Sequence, residues 1–385
     1  MEVSQVYQFT NDAVSEVLGD SVVLQEDLSN VVDVGTAIFN ASAFDRYVKS
    51  LVNHIGKVIF VNRPYRGSAP SVLRDAWEYG SVVEKITSEM PVAVENESWE
   101  LTDGASYDPN VFHSPKAEAK FFNKMTTFEI DRSITERQVK QSFSSATQLN
   151  AFISMLFNEV DKAMTVRMDA LVMRTINNMI LETGYTAFHT AGAITGPGNA
   201  RAVNLLSRFN TQYNKNLTAA QAILDPDFIR YAAYQMALHV DRLTRMTTLF
   251  NEGGKQRFTP KDLQHIVMLS EFRAAADVFL QSNTFHDEYT KLIGAETVPF
   301  WQGSGTGYAF ADTGKVYGAT ASGHSQAMTG VLAVMFDRDA LGVMSENSRV
   351  TTNYNAKAEF TNYFYKRDAR YFNDFNENFL VFFIA

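Results

Sequence analysis

Ser144 to Leu181 reads SSATQLNAFISMLFNEVDKAMTVRMDALVMRTINNMIL. Its apolar residues Leu149, Phe152, Ile153, Leu156, Val160, Ala163, Met164, Met168, Leu171, Val172, Met179 and Ile180 recur at steps of three and four, the spacing of a helix with a buried face. The stretch contains neither Gly nor Pro. Ser144 and Ser145 can accept from the first free backbone N–H groups, and Gly184 stands where a left-handed residue would end the helix. At 1.5 Å per residue this predicts a rod of roughly 55 Å, far longer than the average globular helix of about three or four turns. Coiled coil, long core helix and spine are the readings open to such a rod. The apolar positions drift off a strict heptad and the surrounding chain is strand-rich, which favours a spine under a mixed α/β domain.

On the N-terminal side of the rod, Tyr79 to Leu101 is strand-like, with Val82, Val83, Ile86, Met90, Val92, Val94 and Trp99 in short alternating pieces. The turn formers Thr102 to Asn110 follow, and a return leg runs from Ala119 to Ile130. Two strand-like legs joined by such a tip describe an extended hairpin. A two-stranded ribbon is marginal in water, so it must lie against its own domain or an adjacent subunit. Further back, Ala41 to His54 reads as an amphipathic helix stopped by Gly56, and Val58 to Val61 as a short buried strand; Pro64, Gly67 and Pro70 then break the chain. Residues 1 to 40 read as an arm. Thr10 or Asn11 caps a short helix ending at Leu18-Gly19, and Val22-Val23-Leu24 is an apolar run with no local core, to be docked on the main body or on a neighbour.

On the C-terminal side, Thr190 to Asn199 is a Gly-rich linker, and helices are expected from Ala200 to about Asn214 and from Asp225 to Phe250. The second has Asp225 as cap and Pro226 at the first helical position, and Gly253-Gly254 would end it. Leu263 to Leu269 reads as a central strand, with a helix from Ser270 through about Gln281 directly after it, the mark of a small mixed α/β domain. Val331 to Phe336 is a second apolar run. The ending Asn378 to Ile384 is apolar and β-forming, as expected of a last strand tied into a sheet.

Composition removes several function classes. No run of about eighteen apolar residues exists, and Met1-Glu2-Val3-Ser4 opens an acidic, polar segment, so neither a transmembrane helix nor a signal peptide is expected. The chain has no cysteine, which excludes disulfides, thiolate metal sites and thiol nucleophiles and fits a reducing compartment. A net charge of −9 disfavours tight binding to a phosphate backbone. Twenty-nine Phe and sixteen Tyr are compatible with extensive subunit contact.

Catalytic signals are weak. His54, His113, His189, His239, His265, His286 and His324 are scattered singly, with no metal-ligand spacing. Gly303-Ser304-Gly305-Thr306-Gly307 lacks the strand-then-helix setting and the Lys-Ser/Thr of a phosphate loop and reads as a flexible loop. Asp337 and Asp339, flanking Arg338, read as a turn. Lys366, Arg367 and Arg370, among Tyr363, Phe364, Tyr365, Tyr371 and Phe372, form a small basic cluster that reads as an intersubunit contact or a solvated strand face, with single-strand stacking as the alternative. No catalytic, cofactor-binding or metal residue is assigned.

The order of these elements resembles the tailed-phage major capsid proteins of the Hong Kong 97-type fold. Three stretches carry the resemblance: Phe121 to Phe143 running into the long helix; His265-Ile266-Val267-Met268-Leu269-Ser270-Glu271 followed by a helix; and Phe336-Asp337-Arg338-Asp339-Ala340-Leu341-Gly342-Val343 continuing through Phe360 to Val381-Phe382-Phe383-Ile384. The resemblance implies an α+β fold with an N-arm at 1–40, a P-domain with its spine helix at 41–76 and 131–190, an E-loop hairpin at 77–130, an A-domain at 191–330, and a return to the P-domain with the C-terminal strand at 331–385. It also implies a non-enzymatic subunit that self-assembles, as hexamers and pentamers, into the icosahedral shell around a phage double-stranded DNA genome. Its implied partners are copies of itself, a separate scaffolding protein, a portal at one vertex and packaged DNA held without sequence-specific contact, with no membrane. Its place would be the virion capsid, reached from the host cytoplasm. Two other readings stay open: an encapsulin-like shell around protein cargo, and a soluble α/β enzyme with a site near Gly303 to Gly307.

Overall fold

The structure, a computed structural model, describes residues 3–19, 30, 33–34, 36–37, 46–47, 70–74, 83–135, 146–188, 192–193, 196–281, 294–302, 310–320 and 323–385. In chain order these hold helix α1 (Val3–Leu18), strands β1 (Leu73–Arg74), β2 (Val83–Ser88), β3 (Ala117–Phe122) and β4 (Met125–Thr135), and the long helix α2 (Ala146–Phe188). Then come β5 (Gly192–Ala193), β6 (Ala202–Asn204), α3 (Leu205–Tyr213), α4 (Pro226–Leu243), β7 (Gln264–Leu269), α5 (Ser270–Gln281) and β8 (Glu296–Val298). The chain closes on β9 (Val316–Ala319), β10 (Ser325–Met328), β11 (Val331–Asp337), β12 (Leu341–Asn355), β13 (Phe360–Asn373) and β14 (Phe379–Phe383).

The expected rod is present, and it is longer than the periodicity predicts. Helix α2 has 43 residues, roughly 65 Å at 1.5 Å per residue. Val160, Met164, Met168, Leu171, Val172, Ile176, Met179 and Ile180 form its buried stripe, while Ala163, expected in that stripe, lies on the outside with Lys162, Val166, Arg167 and Arg174; the side chains of Leu149, Phe152, Ile153 and Leu156 lie outside the described residues. Gly184 does not end it. The turn Leu181 to Gly184 is buried all round, and tertiary packing outweighs the cost of about 1 kcal/mol that glycine imposes in a helix interior. Two hydroxyls that would otherwise be orphaned bond backwards along the helix, Thr175 Oγ1 to Leu171 O at 2.8 Å and Thr186 Oγ1 to Glu182 O at 2.9 Å.

Helix α2 underlies three sheets. Its contacts run to β4, β12 and β13 of the first, to β6 and β14 of the second, and to β9 and β10 of a third, which has the order β5-β10-β9. The first sheet has the order β1-β12-β13-β4, antiparallel except for the parallel β1-β12 pair. The second has the order β6-β14-β11-β7-β8, with β6-β14 and β7-β8 parallel and the inner pairs antiparallel. Every residue of β11 and β14 is buried. That explains why these strands read as continuous apolar runs without alternation. The last strand is therefore an inner strand of its sheet, between β6 and β11. The sequence position 330, expected as a domain boundary, falls between β10 and β11, and β11 pairs with β7 from before it. Gly330 makes that turn. Its φ is +64°, and a Cβ there would stand 2.0 Å from Ile384 O.

Several boundaries differ from expectation. Helix α1 starts at Val3, so Thr10 and Asn11 are interior residues; Gly19, with φ +73°, ends it as expected. Ala13 and Val14 are fully buried in a cluster with Val160, Met164, Tyr363 and Tyr365, so α1 packs on its own subunit. Helix α4 begins as read, with Asp225 Oδ1 accepting from Asp227 N and Phe228 N at 2.9 Å, but it stops at Leu243, ahead of the β-branched Thr244, Thr247 and Thr248. Gly253 has a different job. Glu252 N and Gly253 N both donate to Phe375 O at 3.0 Å, and a Cβ on Gly253 would lie 2.0 Å from Asn376 Oδ1, so the glycine permits a close approach between loops. The helix expected at Ala200 is preceded by strand β6, and Asn204 caps α3. Val22-Val23-Leu24, the Val58 to Val61 strand, the Gly303 to Gly307 loop and most of the Ala41 to His54 helix lie outside the described residues.

Candidate assembly surface

The hairpin forms in the expected place, but its legs are shorter. Strand β2 pairs antiparallel with β3 from Val83↔Phe122 to Ser88↔Ala117. The return leg is two strands. It breaks at Asn123-Lys124, and β4 joins the four-stranded sheet beside β13.

The ladder register sets Lys85 directly opposite Lys120, an arrangement that is destabilising unless something neutralises it. The turn from β13 to β14 does so. Lys85 Nζ donates to Asp374 Oδ2 at 2.9 Å and to Glu377 Oε1 at 2.7 Å, and Lys120 Nζ donates to Asp374 Oδ1 at 2.9 Å. Arg257 Nε donates to Glu377 Oε1 at 3.1 Å, and Lys255 holds Glu118 at 3.0 Å. Both carboxylates are buried at the centre, Asp374 at 1% exposure and Glu377 at 7%. Phe122 stacks beside Phe372 with centroids 5.1 Å apart. The hairpin base is thus clamped to its own subunit. Sequence reading missed this clamp; the signal was Lys85 and Lys120 sharing the inward face, visible only once the register is known.

Burial alone would raise the Asp374 carboxyl, but the hydrogen bonds from Lys120 and Lys85 outweigh it and hold the group below its ordinary value. The clamp therefore contributes fully above the unfolded pKa of a carboxyl, about 4, and weakens as pH falls through the lower folded value. Asp374→Asn is expected to cost about 1.5–3 kcal/mol of local stability, the worth of a hydrogen bond between charged groups. Measured by hydrogen exchange at pH 7, amides of 83–88 and 117–122 should then lose protection while those of β11 and β14 keep theirs. Unchanged protection would mean that Asp374 does not hold the hairpin base.

Beyond the base, residues 89 to 116 carry an exposed apolar set. Trp99 is 95% exposed, Val92 87%, Phe112 86% and Val94 85%, with Met90, Leu101 and Val111 also exposed and Ile86 and Phe121 on the outer face of the legs. Exposed apolar area of this extent on a ribbon marks an interaction surface.

The other candidates resolve as structural groups. Asp337 Oδ1 accepts from Asp339 N at 2.8 Å and Asp337 Oδ2 from Thr259 Oγ1 at 2.7 Å, so that pair is the β11-β12 turn. Lys366 pairs with Glu129 at 3.2 Å, Arg370 with Glu346, and Arg367 Nε donates to Ser345 Oγ at 2.7 Å, so the basic cluster is spent on cross-strand contacts. His239 is buried; its Nδ1 lies 2.7 Å from Gln235 O and its ring meets Phe382 edge-on. Burial pushes its pKa down to about 4. His265 stacks on Phe336, His324 on Tyr185, and His113 is exposed; His54, His189 and His286 lie outside the described residues. Among the described residues there is no cluster suited to a metal ion and no helix long and apolar enough to cross a membrane.

The sequence model of the family described as Phi29-like phage major capsid protein matches residues 10–383. No curated protein sequence matches. The fold is similar to the solved capsid structure of Staphylococcus phage Andhra, at 9% identity over 82% of this chain and 83% of that one, with a TM-score of 0.50. It is also similar to a chain in the structure of head fiber and inner core protein gp22 of native bacteriophage P68, at 8% identity over 82% and 83%, with a TM-score of 0.48.

Proposed function

The chain belongs to the Phi29-like phage major capsid protein family, and from that premise we propose that its chemistry is association, not catalysis, with the exposed hairpin as the main intersubunit contact. It is a shell-forming structural subunit of the virion capsid, with the mixed helix and sheet architecture of the Hong Kong 97-type fold. In this reading α1 belongs to the N-arm at 1–40, the hairpin at 83–122 lies within the E-loop at 77–130, and α2 is the spine of the P-domain with the four-stranded sheet; the A-domain takes α3 to α5 and the five-stranded sheet, which extends it beyond the expected 191–330 because β11 and β14 pair into that sheet. Hexamers and pentamers of the chain close an icosahedral shell in the host cytoplasm with a separate scaffolding protein. A portal occupies one vertex, and the net charge of −9 suits DNA packaged without sequence-specific contact. The observation that carries the proposal is the apolar and aromatic surface on residues 89 to 116, which its own subunit leaves uncovered.

Purified protein, with a scaffold supplied, is expected to form closed shells or capsomer rings visible by electron microscopy. A compact monomer at high concentration under those conditions would refute the reading. Protein cargo in place of DNA in native particles would favour the encapsulin-like alternative.

A further inference from the structure

The hairpin tip has an uneven charge. Between Pro91 and Pro115 the chain carries Glu95, Glu97, Glu100, Asp103 and Asp108 and not one Lys or Arg. Its large exposed residues, Trp99 and Phe112, stand among those acids. A surface that receives the tip must therefore offer both cations and apolar area.

One loop of the same chain offers both. Residues 244 to 258 fold back on themselves, with Thr259 N donating to Leu243 O at 2.8 Å and Thr247 and Arg257 exchanging both backbone bonds at 3.0 Å. This brings Met246, 46% exposed, beside Phe258, 48% exposed, with Leu249 at 61% on the same excursion. Arg242 and Arg245 are exposed at its edge and have no ion pair among the described residues. Met246, Phe258 and Met90 open onto a cleft of about 420 Å³ between the loop and the hairpin base, large enough to admit an aromatic side chain; Glu89 and Glu118, both paired with Lys255, and Arg257, paired with Glu377, also line it, so the cations left for a visitor are Arg242 and Arg245 on the loop. Within one subunit the two surfaces do not cover each other, since Trp99 and Leu249 are both exposed.

We propose that the acidic, aromatic hairpin tip of one copy docks on the loop 242–258 of a neighbouring copy, with Trp99 or Phe112 entering the cleft and Arg242 and Arg245 facing the tip carboxylates. This names the receiving surface for the contact proposed above and rests on that reading. Charge complementarity and matching apolar area select a second copy as the occupant.

The absence of cysteine from the chain makes the test clean. Full-length chains carrying Asp103→Cys are mixed with chains carrying Arg245→Cys, assembled, and oxidised. Disulfide-linked dimers of the two chains are expected to be enriched about tenfold or more in particles over unassembled protein, because docking raises the local thiol concentration into the millimolar range. A second arm uses Arg242→Glu with Arg245→Glu, which should lower particle yield, and Glu100→Arg with Asp103→Arg in the same chain, which should restore it. Particles that form normally with neither cross-link nor charge effect would overturn the contact while leaving the shell reading intact. In a chain carrying both Asp103→Cys and Arg245→Cys, an intrachain link with no link between chains would assign the loop to its own tip and also overturn it. A wild-type chain that forms no particle would overturn the shell reading and this contact together.

Discussion

Met168→Asp is expected to cost about 5 kcal/mol or more of stability, whereas Val166→Asp, two residues away on the same helix, should change it by less than about 1 kcal/mol. Met168 is fully buried, in one cluster with Leu171, Val172 and residues of both main sheets. Replacing it loses the buried thioether and puts an unpaired carboxyl among apolar side chains, together about 5 kcal/mol or more. A whole domain holds only about 5–15 kcal/mol in reserve. Val166 is 64% exposed, so an aspartate there stays in water. Urea unfolding of the two variants makes the comparison, and similar midpoints would mean that the buried stripe of the long helix has been assigned to the wrong face.

The second large effect concerns assembly. Trp99→Asp combined with Phe112→Asp should leave the unfolding midpoint unchanged, because both rings already stand in solvent in the single subunit, at 95% and 86% exposure. Shell formation should nevertheless be lost. Buried aromatic anchors contribute about 2 kcal/mol or more each at an interface, and every copy in a shell repeats the loss. Hydrogen exchange gives an independent reading. Amides of 89 to 116 should exchange fast in the free subunit and become protected in particles. Those of 83–88 and 117–122 should be protected in both states, because Asp374 and Glu377 hold the base. Equal exchange of the tip in both states, or normal shells from the double variant, would end its role as the contact between subunits.

The clamped base also shows where sequence reading stopped. The alternation in the two legs and the turn formers between them located a hairpin, yet the same alternation carried the return leg through Ile130. The break at Asn123-Lys124 depends on β13 being present to take β4 as a partner, and no local pattern encodes that choice. In the same way Gly184 and Gly253 look like helix ends when only neighbours in sequence are considered. One is buried inside a helix that packing extends, and the other makes room for the turn at Asn376.

By itself the sequence determined the elements whose causes lie within a few residues. These are the stripe of α2, the Asp225-Pro226 start of α4, the β7-α5 unit, the wholly apolar β11 and β14, and the turn at Asp337. Periodicity, capping and strand propensity act over that range, and burial of the resulting faces only strengthens them. Tertiary structure alone decided which surfaces are closed and which are left open. Lys85 and Lys120 reach Asp374 and Glu377 across separations of 254 to 292 residues, and Arg242 and Arg245, with no ion pair among the described residues, are carried on the loop that exposes Met246 and Phe258. Such pairings depend on sheet order and register, which are global minima of packing and not properties of any segment.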